Sequence, residues 1–298
     1  MSLTSHPTAP QPDPHDGGLQ QDLQALSQQV QRRQALRWLS ALSAASSLPL
    51  LGCGGGGDTA SSGTSLYGSS AASVTATSAS GLSCTTMPEE TAGPYPGDGS
   101  NTANGSVANA LALSGIVRSD IRSSVAGASG VASGVPIQVV FTLVNVNNSC
   151  ASLSGHAIYL WHCDAAGRYS MYTSGVTAEN YLRGVQSTDA NGQATFTSIF
   201  PGCYSGRMPH MHFEVYRSAT TATSFSNKLK TSQLAFPVAT CQEVYNGNAS
   251  YSASIANLAS MSFATDNVFS DGVTLELVSI TGSVAAGYTA NIQVAISV

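Results

Sequence analysis

Charge is the scarcest property of this sequence. Only 9% of its 298 residues are Asp, Glu, Lys or Arg, and lysine occurs twice, at Lys228 and Lys230. With a net charge of −5 and no basic stripe for a phosphate backbone to follow, nucleic-acid binding is set aside. None of the six cysteines sits in a CxxC pair, which argues against a thiolate zinc cluster. A long apolar run is lacking too. The stretch from Trp38 to Leu51 has the length of a signal-sequence core and is too short for a comfortable membrane span. No internal repeat and no second folded domain stand out.

What is present begins with a leader. Residues 1–31 are polar, and Arg32-Arg33 precede the weakly apolar run, which ends in Leu50-Leu51-Gly52-Cys53. The paired arginines resemble a twin-arginine export signal, and the last four residues resemble a lipobox. Residues 1–53 are therefore expected to direct export to the cell envelope or periplasm. An acyl chain on Cys53 would attach the protein to a membrane without crossing it. The twin-arginine route carries proteins that are already folded. Residues 54–82 are low-complexity Gly, Ser, Thr and Ala, with too few large apolar groups to pack, and read as a flexible tether.

From residue 83 to 298 the pattern changes to short runs rich in β-branched and aromatic residues. They are Ile137–Leu143, Ala157–Trp161, Ala194–Ile199, Met211–Tyr216, Val273–Val278 and Ala290–Ala295, with turn formers such as Asp189-Ala190-Asn191-Gly192 and Asp271-Gly272 between runs. This predicts a mainly β domain, a β-sandwich of mixed sheets with long loops and little helix. One helical patch is expected around Ser252–Ala264, where apolar residues recur at helix-like spacing.

Four segments carry chemistry-bearing residues. Trp161–Ser170 ends in a turn with Tyr169. Leu182–Gly192 leads into a hairpin. Phe200-Pro201-Gly202-Cys203-Tyr204 places a tyrosine after a Pro-Gly turn, and Arg207-Met208-Pro209-His210-Met211-His212 follows. On a strand, residues two apart point to one face, so His210 and His212 can reach one metal. Alone, an HxH pair or a tyrosine more often has a structural role.

Taken together and in order, GxY, RG–x–TDxxGxxxF, PGxY and RxxHxH resemble the intradiol ring-cleavage dioxygenases, the family of protocatechuate 3,4-dioxygenase and catechol 1,2-dioxygenase. Glu90-Thr91-Ala92-Gly93-Pro94-Tyr95 and Leu113-Ser114-Gly115-Ile116-Val117 extend the match over most of residues 84–298. The WHCDAxGxYS form and the leader look like the exported, single-chain branch. The resemblance implies an Fe(3+) site with Tyr169, Tyr204, His210 and His212 as ligands, Tyr204 and His210 axial and the other two equatorial. It implies that Arg207 lies against the substrate ring, that Gln233 stands near the reacting carbon, and that Tyr204 leaves the metal to take a substrate proton. The implied substrates are a catechol-type ring and dioxygen, and the product is a cis,cis-muconate-type diacid. Several relatives form dimers or larger assemblies, and nothing in this sequence fixes a stoichiometry. The chemistry agrees: phenolates and hydroxide are hard anions suited to a trivalent ion, and two phenolates with one hydroxide balance its charge.

Two other functions compete. One is a non-catalytic, exported β-sandwich binding module with a structural or vestigial metal site. The weaker is a zinc hydrolase built on HxH, for which no carboxylate is suitably spaced. His162 is read as structural, and Arg183, Asp189 and Asp164 as turn support. Beyond Cys53, the five cysteines Cys84, Cys150, Cys163, Cys203 and Cys241 allow one or two disulfides and leave at least one thiol unpaired within the chain. A short Ser205-Gly206 spacer between Tyr204 and Arg207 suggests thin loop cover on that side and room for bulkier rings.

Overall fold

Alternation is the organising pattern. The computed structural model describes residues 73–78, 81 and 83–298. The leader read over 1–53, with Cys53, lies outside the described residues, as does most of the tether read over 54–82. Within that tether Thr75–Thr77 forms a strand, β1, which pairs antiparallel with Ser83–Thr85, β2, so folded structure starts a few residues before the expected boundary. Next comes a hairpin of β3 (Asp98–Ala103) and β4 (Ser106–Asn109).

The two main sheets use β5 (Pro136–Asn145), β6 (Ala151–Ser152), β7 (Ala157–Trp161), β8 (Arg183–Ser187), β9 (Gln193–Ile199), β10 (His210–Tyr216), β11 (Lys228–Ala235), β12 (Ser279–Ser283) and β13 (Gly287–Ile296). One sheet runs β11-β10-β7-β8, all antiparallel. The other runs β12-β13-β5-β6, with β9 also paired to β5 and β13 parallel to β5. The fold is thus mainly β with mixed sheets and, among the described residues, two short α-helices: α1 (Val238–Gly247) and α2 (Ser252–Ala259).

Ile137, Val139, Phe141 and Leu143 of β5 alternate into the core and meet Ile158 and Leu160 of β7, Phe196 of β9, and Met211, Phe213 and Val215 of β10. Phe141 packs edge-on against Phe196 and Phe213, with ring centroids 5.9 and 5.4 Å away. The other residues of β7 and β10 point to the opposite face. There Tyr159, Trp161 and Tyr216 form a second apolar cluster with Tyr169, Tyr172, Ile116 and Leu111 from the covering loops. Every residue of β10 is buried because both faces of the sheet are covered.

The Val273–Val278 run departs from expectation. It folds as turns, with Glu276 and Leu277 N–H both donating to the Val273 carbonyl, and touches β11 only through a bridge between Leu277 and Ala235. Its polarity is inverted as well: Glu276 is buried and Leu277 exposed. The local alternation was compatible with a strand, but the edge of β11 offers a partner at only one position. The helical patch forms as α2 and stops at Ala259, short of the expected Ala264.

Candidate metal centre

Two strand residues and two turn residues converge at one end of β10. His210 and His212 occupy alternate positions and share the loop-covered face. His212 is held between Trp161 on β7 and Gln233 on β11 by strand register. The Trp161 indole stacks on the His212 ring at 4.9 Å, with planes 3° apart. Gly93 lies over the other part of the same ring: a Cβ there would stand 3.2 Å from His212 Cε1, and its φ of +67° suits glycine.

Tyr169 ends a turn organised by Asp164, whose carboxylate accepts from Ala166 N and Arg168 N and pairs with the Arg168 guanidinium. Tyr204 follows the Pro-Gly turn, and the helices hold that turn in place. Tyr251 donates to the Phe200 carbonyl, Tyr245 to the Pro201 carbonyl, and Asn257 to the Cys203 carbonyl, while Ser254 Oγ accepts from Cys203 N. Gly202 is required by close approach, since a Cβ would meet the Asp164 carbonyl at 2.4 Å.

The donor atoms face one another. His210 Nδ1 sits 2.6 Å from the Met208 carbonyl, a contact that only an N–H makes, so Nε2 presents a lone pair. Around that Nε2 stand His212 Nε2 at 3.1 Å, Tyr204 Oη at 3.3 Å and Tyr169 Oη at 3.4 Å. Donors about 2.1 Å from a shared ion, at octahedral to tetrahedral angles, lie about 3.0–3.4 Å apart. The four side chains therefore fit one metal ion. Among the described residues no three His, Cys, Asp or Glu cluster to hold a metal. The buried His/Tyr cluster is consistent with an iron site.

Burial sets the electrostatics. It pushes the Tyr169 phenol well above its ordinary range, with the Tyr204 phenol adding to the effect. It also holds both imidazoles well below theirs, assisted at His210 by Arg207 and at His212 by His210 and then Arg207. Tyr169 and the histidines are thus neutral unless a cation supplies compensating charge. Tyr169 is fully buried, whereas Tyr204 is half-buried beside the exposed Ser205.

Arg207 and Gln233 come together, the Arg207 Nη2 donating to Gln233 Oε1 at 2.7 Å while Gln233 Nε2 donates to the Thr91 carbonyl. Arg207 also pairs with Asp266. Neither Asp266 nor Glu276 stands in a motif read from the sequence, and the buried Glu276 carboxyl oxygens have no hydrogen-bond partner among the described residues. Burial, then the Glu90 carboxylate, raises Glu276 to about 8.

Arg183 does more than support a turn. It is buried on β8 and donates to the carbonyls of Tyr95, Pro96 and Ser170, to Ser170 Oγ and to Tyr159 Oη, tying two covering loops to the sheet. His162 is structural as expected, held by the Cys163 carbonyl and Ser198 Oγ. Asp189 holds its hairpin turn through Asn191 N and Gln193 N. Cys84 and Cys150 form a disulfide, and Cys163, Cys203 and Cys241 are buried free thiols, so no bridge stiffens the site through Cys203.

Residues 122–238 match a family model described as Dioxygenase. The solved structure of an intradiol ring-cleavage dioxygenase from Tetranychus urticae is similar over 72% of this chain and 95% of that one, with 24% identity and a TM-score of 0.53. The dioxygenase domain of a carbohydrate-binding fusion from Streptomyces sp. SirexAA-E matches at 21% identity over 72% and 99% of the two chains, with a TM-score of 0.44. Catechol 1,2-dioxygenase from Pseudomonas arvilla C-1 matches at 17% over 70% and 62%, with a TM-score of 0.42. No curated protein matches this chain. The fold is that of the intradiol ring-cleavage dioxygenases.

Proposed function

We propose that this protein is an iron(III)-dependent intradiol dioxygenase. It would cleave a catechol-type ring with dioxygen, between the two hydroxylated carbons, to a cis,cis-muconate-type diacid. The observation that carries the reading is the approach of His212 Nε2 and the Tyr204 and Tyr169 phenol oxygens to within 3.1–3.4 Å of His210 Nε2, with Arg207 buried close by. These four side chains would hold the ion. Bound ferric iron would supply chelation of both catechol oxygens and activation of the ring toward dioxygen.

The chain's own residues divide the remaining work. The Met208 carbonyl fixes the His210 tautomer and presents Nε2. Trp161 and Gly93 fix the plane of His212. The unequal burial of the tyrosines favours Tyr204 as the proton acceptor: held as a phenolate by the ion, it would accept a catechol proton at its oxygen, while enclosed Tyr169 would keep its place. Arg207 offers positive charge where negative charge develops on the ring, and Gln233 holds its outer nitrogen. The thin cover at Ser205-Gly206 favours substituted or bulkier catechols.

Oxygen uptake with a catechol panel and the visible spectrum of the iron-loaded protein test this reading. A tyrosinate-to-iron band that shifts on adding catechol, with oxygen consumed, is the expected result. A folded protein that stays colourless after ferric loading would remove the iron site. A coloured protein that consumes no oxygen with any member of the panel would leave the binding-module reading instead. The reading includes an exported location, supported by the Cys84–Cys150 disulfide, since such bonds persist in oxidising compartments. Attachment through Cys53 is checked by fractionation: Cys53→Ser should move the protein from the membrane to the soluble fraction.

A further inference from the structure

Asp266 is fully buried, 59 residues from Arg207 in sequence, and outside every motif quoted above. Its carboxylate receives the Arg207 Nε at 3.1 and 3.2 Å. One oxygen also accepts from Met208 N at 2.6 Å, and the other from Val268 N and Phe269 N at 2.8 and 3.2 Å. Phe269, three residues on, lies under the guanidinium with its ring centre 5.6 Å from Cζ, and faces the His210 ring edge-on at 6.4 Å. Met208 is held at both ends: its N–H by Asp266, its carbonyl by His210 Nδ1. A single carboxylate thus fixes the arginine and the residue that orients a proposed ligand.

We infer that Asp266, with Phe269, is a positioning residue that sets both the pose of Arg207 and the ring orientation of His210. The inference rests on the iron-dioxygenase reading. The physical case is one of matching. A buried guanidinium needs a charged partner, because leaving either charge of such a pair alone is strongly unfavourable. Nε is taken by Asp266, Nη2 by Gln233 Oε1, and the face by Phe269, so the side chain has one orientation rather than several. Asn at 266 preserves shape but removes the charge facing Arg207 Nε and turns an amide N–H toward either Met208 N or the Val268 and Phe269 N–H groups, donor against donor. Glu at 266 keeps the charge and displaces it by one methylene.

The test uses the iron-loaded, full-length protein and its D266N, D266E and F269L variants. Iron per chain, the position of the tyrosinate-to-iron band with and without catechol, kcat, KM and Tm are read for each. D266N is expected to keep most of its iron yet show a displaced band, with kcat per bound iron lower by roughly 10–100-fold and KM changed far less. F269L, which removes only the aromatic face, should lower kcat per iron by roughly two- to tenfold. D266E is expected to fall between D266N and the wild type. A D266N protein with wild-type band and wild-type kcat per iron, differing only in Tm, would make Asp266 merely structural and overturn the inference. Should D266N fail to fold, F269L decides: a wild-type band and kcat in F269L overturns the inference, and a displaced band with reduced kcat sustains it. A wild type that binds no iron and shows no band defeats the iron reading and this inference together, whereas a coloured wild type with unaltered variants defeats the inference alone.

Discussion

At the scale of single residues, the two tyrosines are chemically alike and placed unequally. Tyr169 is enclosed, and its phenol is raised well above the ordinary range by burial first. Tyr204 is half-buried. Tyr204→Phe should weaken the visible band and slow turnover while iron is retained, and Tyr169→Phe should cost bound iron itself. Iron per chain and absorption spectra of the two variants check this, and an unchanged Tyr204→Phe spectrum would remove that residue from the ligand set. Gly93→Ala places a methyl 3.2 Å from His212 Cε1 on a backbone with positive φ. A loss of about 1–3 kcal/mol in stability is expected, read from denaturant midpoints, together with weaker iron binding. Glu276 gives a pH signature. Its folded value of about 8 lies above the ordinary glutamate value, so the folded protein binds the proton more tightly than the unfolded chain. The resulting stabilisation is full below the ordinary glutamate range and is lost as pH rises toward about 8. Between those limits the wild type should lose up to about 1.4 kcal/mol per pH unit relative to Glu276→Gln. Parallel stability–pH curves for the two proteins would show that Glu276 is ionised throughout.

At the scale of elements, the strands were legible where both periodicity and partners agreed. Ile137–Leu143, Ala157–Trp161, Ala194–Ile199, Met211–Tyr216 and Ala290–Ala295 all lie in strands, because alternating β-branched and aromatic residues met a facing sheet. Val273–Val278 had the same alternation and no continuous edge to pair with, and the chain turned instead. The β8 and β11 strands and helix α1 were missed, since Arg183–Ser187 and Lys228–Thr231 are polar and Val238–Gly247 has only a weak apolar face. Their importance is tertiary: β11 aligns Gln233 with His212, β8 carries Arg183 under the covering loops, and α1 and α2 pin the turn before Tyr204. The inter-sheet packing can be probed at Phe141, which touches aromatic rings from β9 and β10. Phe141→Ala should destabilise the fold by about 3–5 kcal/mol in chemical denaturation, with wild-type iron stoichiometry in whatever remains folded.

At the scale of the whole molecule, the Cys84–Cys150 bridge ties β2 to the connection between β5 and β6 across 66 residues. A closed loop of that length restricts the unfolded chain by about 4 kcal/mol. Replacing both cysteines by serine should lower stability by up to that amount, and adding reductant to the wild type should give the same loss in a thermal melt. The bridge lies with Val144, Val146 and Ala295, away from the His/Tyr cluster, so the visible spectrum should survive its removal.

The sequence by itself determined the β class, through strand alternation and turn residues. Its resemblance to the intradiol dioxygenases named the four candidate ligands and Arg207, while strand geometry alone says only that the two histidines of an HxH can share a face. The tertiary structure alone decided what surrounds them. It brought Asp266 and Phe269 from 59 and 62 residues away onto Arg207, buried Glu276 in place of its apolar neighbour, made Arg183 an anchor for two loops, and paired Cys84 with Cys150 among five cysteines. These depend on which distant segments share a low-dielectric interior, where an unmatched charge or donor must find a partner, and no local spacing records that choice.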